Sequence, residues 1–454
     1  MAAAVAELLA RFVERLPDAP SADLEGADEL ARELRAARPP EDGEPLADTL
    51  ATVEHAAAKA IDTAGPGYLA YIPGGGLFTS ALGDLLAGGV NRYVTMGRVA
   101  PAMAAIEAGV VDWLCELFGY PEGAFGVLTS GGSMANLSAV VSARATLGED
   151  FSGGTIYVSE QAHHSLAKAA LIAGFPADAV SEVACDSELR MDPAALEHAI
   201  AEDRAAGRRP CLIVASAGTT NTGAIDPIPE LADLAEREGV WLHADAAYGG
   251  FFRLTERGRE RLAGIERADS ITLDPHKGMF IPYGTGCLIV RDARALRRAH
   301  TLGAGYLQDI ASGELPDFAD HSPELSRANR GLRVWLPLQL HGVGAFRRAL
   351  DEKLDLARLA HDRLSEHEQL ELPWEPPLST VAFRLRDSSD DDNRALLERI
   401  NASRRVFISS TVIDRSYWLR ISVLSHRTHR DRIEEAVEIV SREAAAAART
   451  ARAR

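Results

Sequence analysis

From about residue 100 onward the chain alternates short β-branched runs with alanine-rich stretches of helical spacing. The runs are TIYVS (155–159), CLIVASA (211–217), VWLHADAA (240–247), SITLDPH (270–276) and GCLIVRD (286–292). Several are separated by helical stretches such as DPAALEHAIAEDRAAG and IPELADLAEREG. Buried-type strands alternating with helices predict an α/β chain built on a mainly parallel, doubly wound sheet. Ligands of such sheets bind beyond the carboxyl ends of the strands. After a helical section at about 338–368, the runs STVAFRL, RVFISST and YWLRISVL predict a smaller α+β domain. Residues 1–85 read as a mostly helical arm with too little apolar periodicity for a core of its own, and this arm is expected to pack on a second subunit. The expected division is therefore an arm at 1–85, a large α/β domain at 86–340 and a small C-terminal domain at 341–454.

Composition narrows the partners. A formal net charge of −18 leaves no basic face to neutralise a phosphate backbone, so nucleic acid is excluded as a partner. Cys115, Cys185, Cys211 and Cys287 are widely spaced with no CxxC pair, which fits reduced thiols in a cytoplasm better than a disulfide frame or a zinc site. No apolar run approaches the roughly 20 residues that span a bilayer. The opening MAAAVAELLARFVERL carries charges at helical spacing and lacks a signal-peptide cleavage pattern. These features predict a soluble cytoplasmic enzyme.

Four motifs carry chemistry. LTSGGSMANLSAVVSARA (128–145) is a polar glycine turn feeding a helix, which presents backbone amides and a positive dipole end suited to a phosphate, with Ser133 adding a hydroxyl. Such turns more often only cap a helix. HADAAYGG (243–250) ends a strand with Asp245, and Ala246 and Ala247 leave room for a flat ring. A carboxylate there can hold a pyridinium nitrogen protonated, although strand-end aspartates also cap helices or bind metals. DPHKGMF (274–280) brings Lys277 to another strand end about 30 residues later, where its amine can form a Schiff base with an aldehyde. In VSEQAHHSLAKA (158–169), His163 follows a strand and can stack on a ring. Taken singly, each has a structural reading. Together, a phosphate turn, a strand-end carboxylate and a strand-end lysine are what pyridoxal 5′-phosphate requires.

TSGGSMAN, EQAHHS, ASAGTTNTGAID, HADAAYGG and DPHKG closely resemble the group II pyridoxal-phosphate-dependent amino acid decarboxylases. That family includes the aromatic-L-amino-acid, histidine and glutamate decarboxylases. The similarity runs from GPGYLAYIPGGG to LRISVLSHRTH. It implies the fold-type I (aspartate aminotransferase-like) architecture and a homodimer with its active sites at the interface. It further implies that Lys277 carries the cofactor, Asp245 pairs with the ring nitrogen, and His163 stacks on one ring face with Ala247 on the other. Ser133, Gly132 and His276 would hold the phosphate beside Met134, and Thr219 would lie close to the cofactor. Arg420 matches an arginine near the substrate carboxylate in some members. Asp274 stands where the family usually has asparagine, a second negative charge near a phosphate.

The implied reaction is decarboxylation of an L-amino acid to its amine. In decarboxylases of the aromatic type, a loop tyrosine protonates the substrate carbon. Aligning on RGLRVW puts Phe318 at that position, and phenylalanine has no proton to give. Members with phenylalanine there can instead release an aldehyde, ammonia and peroxide. Tyr306 or His163 is an alternative donor. For the substrate, Tyr68 and Tyr71 can stack on an aromatic ring beside the space left by Gly74 to Gly76, or can serve as packing and turn residues. Transamination or lyase chemistry, a cofactor-sensing regulator and a metal hydrolase are the competing classes. The regulator lacks a basic DNA-binding module, and for the hydrolase lysine is a poor metal ligand.

Overall fold

The computed structural model describes residues 1–301 and 315–452. These divide into two compact units, one of residues 76–354 and 376–380, the other of residues 1–75, 355–375 and 381–454. The first holds a seven-stranded sheet in the order Phe125–Thr129, Gly286–Val290, Ser270–Leu273, Trp241–Ala246, Arg209–Ser216, Gly154–Ser159 and Val180–Val183. Adjacent strands are parallel except at Gly286–Val290, which runs antiparallel to both neighbours. Phe125–Thr129 and Val180–Val183, the two edge strands, lie outside the runs expected from the sequence. Val180–Val183 reads VSEV because only its last residue is buried, so the apolar pattern of a central strand is missing.

The helix Gly132–Arg144 is fixed against this sheet by small residues. Ala135 and Ala139 pack with Leu288 and Val290, while Val140 and Ala143 pack with Ile156, Val158, Leu212 and Val214. Alanine at these positions lets the helix axis approach the sheet closely, and its N-terminus is thereby set beside the carboxyl ends of the strands.

The second unit has a five-stranded sheet ordered Tyr68–Leu69, Phe407–Ile413, Ser416–Ser422, Thr380–Leu385 and Leu370–Glu371. Asp414 and Arg415, at φ 49° and 62°, make the two-residue turn between the hairpin strands Phe407–Ile413 and Ser416–Ser422. The core of this unit includes Leu69, Phe383, Leu396, Leu419, Ile421 and Ile433. The N-terminal residues differ from the expected separate arm. Tyr68 and Leu69 pair in parallel with Phe407 and Ile408, and the Ser21 amide donates to the Arg404 carbonyl at 2.8 Å. Backbone pairing therefore joins the first 75 residues to the C-terminal strands, while the chain from Gly76 belongs to the large unit. Among the described residues, no helix is long and apolar enough to cross a membrane.

Candidate active site

A cavity of about 270 Å³ opens in the large unit where the strands end. Phe125–Thr129 leads into Ser130–Met134, Gly154–Ser159 into His163 and Ser165, and Arg209–Ser216 into Gly218–Thr220. Trp241–Ala246 delivers Asp245, Ala247 and Tyr248, and Ser270–Leu273 delivers Asp274, His276 and Lys277. The register sets Asp245 opposite Ser216 on one side and Thr272 on the other, centring it among the strand ends.

The Asp245 carboxylate is held at both oxygens. Oδ1 accepts from the Ala247 amide at 3.2 Å, and Oδ2 accepts from Asn136 Nδ2 at 3.0 Å. Asn136 Nδ2 also donates to Ser165 Oγ at 3.0 Å, so Asn136 Oδ1 is left to accept from His243 Nε2 at 3.1 Å. That fixes the His243 proton on Nε2 and makes Nδ1 the acceptor for the Ser270 hydroxyl at 2.8 Å. Ser270 Oγ in turn accepts from Trp241 Nε1 at 2.9 Å. Burial holds the His243 imidazole neutral by lowering its pKa.

The same asparagine reaches His163 through Ser165. His163 Nδ1 accepts from the Ser165 amide at 3.3 Å and meets Ser165 Oγ at 2.8 Å. Because an amide can only donate, Nδ1 bears a lone pair, and the neutral ring carries its proton on Nε2. Desolvation lowers the His163 pKa, with nearby Asp245 acting against it.

The stretch DPHKG folds as a short helix, Pro275–Gly278, with Asp274 at the N-cap position but without a side-chain capping bond. Proline suits the first helical position, which needs no N–H donor, and its fixed φ starts the turn that aims Lys277 into the cavity. Lys277 Nζ lies 2.8 Å from Asp274 Oδ2. His276 Nδ1 donates to the Thr285 carbonyl at 2.7 Å, so Nε2 of the neutral ring is an acceptor, 3.7 Å from Asp274 Oδ2. Burial lowers the His276 pKa.

Opposite these groups, the first amides bonded within the Gly132–Arg144 helix are those of Met134 and Ala135, both to the Gly131 carbonyl, which leaves Gly132 and Ser133 ahead of the ladder. A Cβ on Gly132 would come 2.9 Å from Asp274 Oδ2 and 3.2 Å from Ala247 Cβ, so only glycine keeps the cradle open. Gly218 is required likewise: it has φ 114°, and a Cβ there would meet Leu378 Cδ1 at 2.8 Å. A phosphate fits two amides at a helix N-terminus with His276 beside them, and a ring nitrogen fits the doubly anchored Asp245 carboxylate. The poor match is Asp274, a buried carboxylate whose Oδ1 accepts no hydrogen bond among the described residues.

The cavity thus brings together Gly132, Ser133, Met134, His163, Thr219, Asp245, Ala247, Asp274, His276 and Lys277. Phe318 is elsewhere. It is fully buried with Ala104, Ala108 and Val127, stacked on Phe125 at 6.1 Å and covered by the Arg327 guanidinium at 5.0 Å. The 3₁₀ turn Phe318–Asp320 is tied to Thr95 by a 2.8 Å backbone bond. Tyr306 lies outside the described residues. Tyr68, Tyr71 and Arg420 belong to the other unit. There Tyr68 is buried and stacks on Phe407 at 6.4 Å, while the Tyr71 amide (2.9 Å) and Arg420 Nη2 (3.1 Å) both donate to Ser409 Oγ. Asn136, Ser165 and His243 escaped the sequence reading. The signals were present: an asparagine on an otherwise alanine- and leucine-rich helix face, and a histidine two residues before Asp245 on the same strand face.

A mostly parallel sheet with an amide cradle, a carboxylate and a lysine at its strand ends defines a fold-type I pyridoxal-phosphate enzyme. The chain belongs to the pyridoxal-dependent decarboxylases, since residues 29–386 match the pyridoxal-dependent decarboxylase conserved domain. It is 36% identical over 374 residues to an aromatic-L-amino-acid decarboxylase from Bacillus atrophaeus, covering 80% of this chain and 78% of the relative. It is 29% identical over 403 residues to a phenylacetaldehyde synthase from Petunia hybrida, covering 83% and 80%. Among solved structures, Oryza sativa TDC with PLP and tryptamine matches with a TM-score of 0.92 at 26% identity, over 97% of this chain and 96% of that one. The protein is a pyridoxal-phosphate-dependent amino acid decarboxylase.

Proposed function

We propose that the decarboxylase acts on an aromatic L-amino acid, releases the amine and CO2, and works as a cytoplasmic homodimer. The aromatic preference is supported by the likeness to the Bacillus atrophaeus enzyme. In this reading Lys277 binds the cofactor, the Gly132 and Ser133 amides with His276 hold its phosphate, and Ala247 and His163 flank its ring. Bound there, pyridoxal phosphate supplies the electron sink for the pair released when the Cα–carboxylate bond breaks. Asp245 keeps a proton on the ring nitrogen, and its two hydrogen bonds hold the carboxylate in place for that task. His163, with Nδ1 engaged by Ser165, has its proton on Nε2, where it can donate within the cavity. Thr219 supports the cavity wall, its amide donating to the Ala224 carbonyl at 2.8 Å. Tyr71 and Arg420, drawn to a common serine, are assigned to substrate binding together with Tyr68.

One observation carries the amine as product: Phe318, the only sequence reason for an aldehyde, is a core residue. Tyr306 or His163 then supplies the proton for the substrate carbon. The likeness to the Petunia hybrida synthase favours the second reading, oxidative release of an aldehyde. A panel of L-amino acids incubated with the holoenzyme under air and under nitrogen, read by mass spectrometry, separates the two. Aromatic substrates are expected to give equal amine and CO2 in both atmospheres. An oxygen-dependent aldehyde with peroxide would reverse the assignment, and turnover confined to non-aromatic substrates would remove the aromatic preference.

A further inference from the structure

Asp274 is a carboxylate in the place least suited to one. It is buried, its Oδ2 lies 2.9 Å from where a Gly132 Cβ would stand, and its Oδ1 accepts no hydrogen bond among the described residues. Its charge is met by the Lys277 ammonium at 2.8 Å. On the other side stands His276, whose Nδ1 proton is committed to the Thr285 carbonyl. An unprotonated His276 Nε2 therefore faces Asp274 Oδ2 at 3.7 Å, acceptor toward acceptor.

We propose that Asp274 and His276 form a proton-accepting pair, so that loading pyridoxal phosphate consumes a proton and retention of the cofactor weakens as pH rises. Loading joins Lys277 Nζ to the cofactor aldehyde: two ammonium hydrogens leave with the aldehyde oxygen as one water, and the nitrogen keeps its third proton and its charge. This step itself therefore neither takes up nor releases a proton, but draws the cation away from Asp274. It also brings a phosphate to the Gly132 and Ser133 amides, next to the Asp274 carboxylate. The phosphate and the Asp274 carboxylate then share a water-poor corner, with the Lys277 nitrogen no longer held against Asp274. A solvent proton taken up on His276 Nε2 relieves both, turning the acceptor pair into a charge-assisted hydrogen bond and placing a cation beside the phosphate.

The other groups facing this corner do not remove the need. The Cys287 thiol, on the adjoining strand, is kept neutral by burial. His163 acts on Asp274 from across the cavity and is itself desolvated. Arg333 approaches from the Thr285 side, with Nη1 3.0 Å from Thr285 Oγ1, and opposes rather than supplies a charge on His276. Tyr283 sets a ring edge 5.8 Å from the His276 ring.

The test is calorimetry of apoenzyme with pyridoxal phosphate in buffers of different ionisation enthalpy, for wild type and Asp274→Asn, with absorbance recording the loading. Between pH 7 and 8.5 the wild type is expected to take up about one proton more than the variant. Its Kd should weaken by up to about tenfold per pH unit over that range, with a flatter profile for Asp274→Asn. His276→Gln should lower the proton count in the same way. Equal counts and parallel profiles would overturn the pair. If Asp274→Asn does not fold, His276→Gln is read in its place, and a proton count equal to wild type overturns the pair. Failure of the wild type to show any absorbance change would instead remove the cofactor reading on which the proposal rests.

Discussion

At the scale of single residues, Asn136 is the side chain on which the site turns. Its amide donates to Asp245 and Ser165 and accepts from His243, and all of these groups except the rim of the cavity are closed to water. One residue thereby sets the orientation of Asp245 and, through Ser165, the tautomer of His163. Asn136→Ala would leave the His243 Nε2–H and one Asp245 oxygen without their partners. The expected cost is about 2 kcal/mol of stability, read as a lower urea midpoint at an unchanged slope. Decarboxylation should fall further than this loss of folded protein explains. A midpoint within error of wild type would mean that water replaces the asparagine and that the network is not structural. The sequence announced Lys277, Asp245 and His163 because ionisable groups at strand ends stand out in apolar runs. Asn136 did not stand out, since its role depends on partners 29, 107 and 109 residues away.

At the scale of elements, the five central runs were legible because strands covered on both faces are apolar almost throughout, and the glycine turn before Gly132–Arg144 was legible from its residues. The 3₁₀ turn at Phe318–Asp320 was not. Position relative to RGLRVW assigns Phe318 to a loop, but what a phenylalanine touches is decided by packing, and here it fills a space between Ala104, Ala108, Val127 and Phe125. Two substitutions separate packing from chemistry. Phe318→Ala should cost about 3–5 kcal/mol by thermal or urea unfolding, since it empties a fully buried site. Phe318→Tyr should destabilise by about 1–3 kcal/mol, because its hydroxyl enters an apolar cluster, while the ratio of amine to aldehyde stays that of wild type. A Phe318→Tyr product mixture that differs from wild type, or a turnover rate that changes more than the loss of folded protein explains, would return the residue to the reaction.

At the scale of the whole molecule, long-range pairing sets what could be read. The first 75 residues share a unit with the C-terminal segments through pairs such as Tyr68 with Phe407, separated by more than 300 positions, and no local pattern encodes such a pairing. The acidic composition also hides a titration of the opposite kind. His163, His243, His276, His300 and His321 all have lowered pKa values, with desolvation the largest cause in each. A histidine that is depressed on folding refuses a proton that the unfolded chain accepts near pH 6.5. Its contribution is therefore intact above that pH and is lost as pH falls toward the folded value, which for His300 is about 4. Each such group steepens the loss by up to about 1.4 kcal/mol per pH unit across its window. The melting temperature of the apoenzyme should accordingly hold between pH 7 and 8 and drop steeply from pH 6.5 to 5, before most carboxylates begin to titrate. Replacing His300 by glutamine should make the drop shallower, because one of the refused protons is gone. A melting temperature that stays level down to pH 5 would show that these imidazoles accept their protons in the folded state.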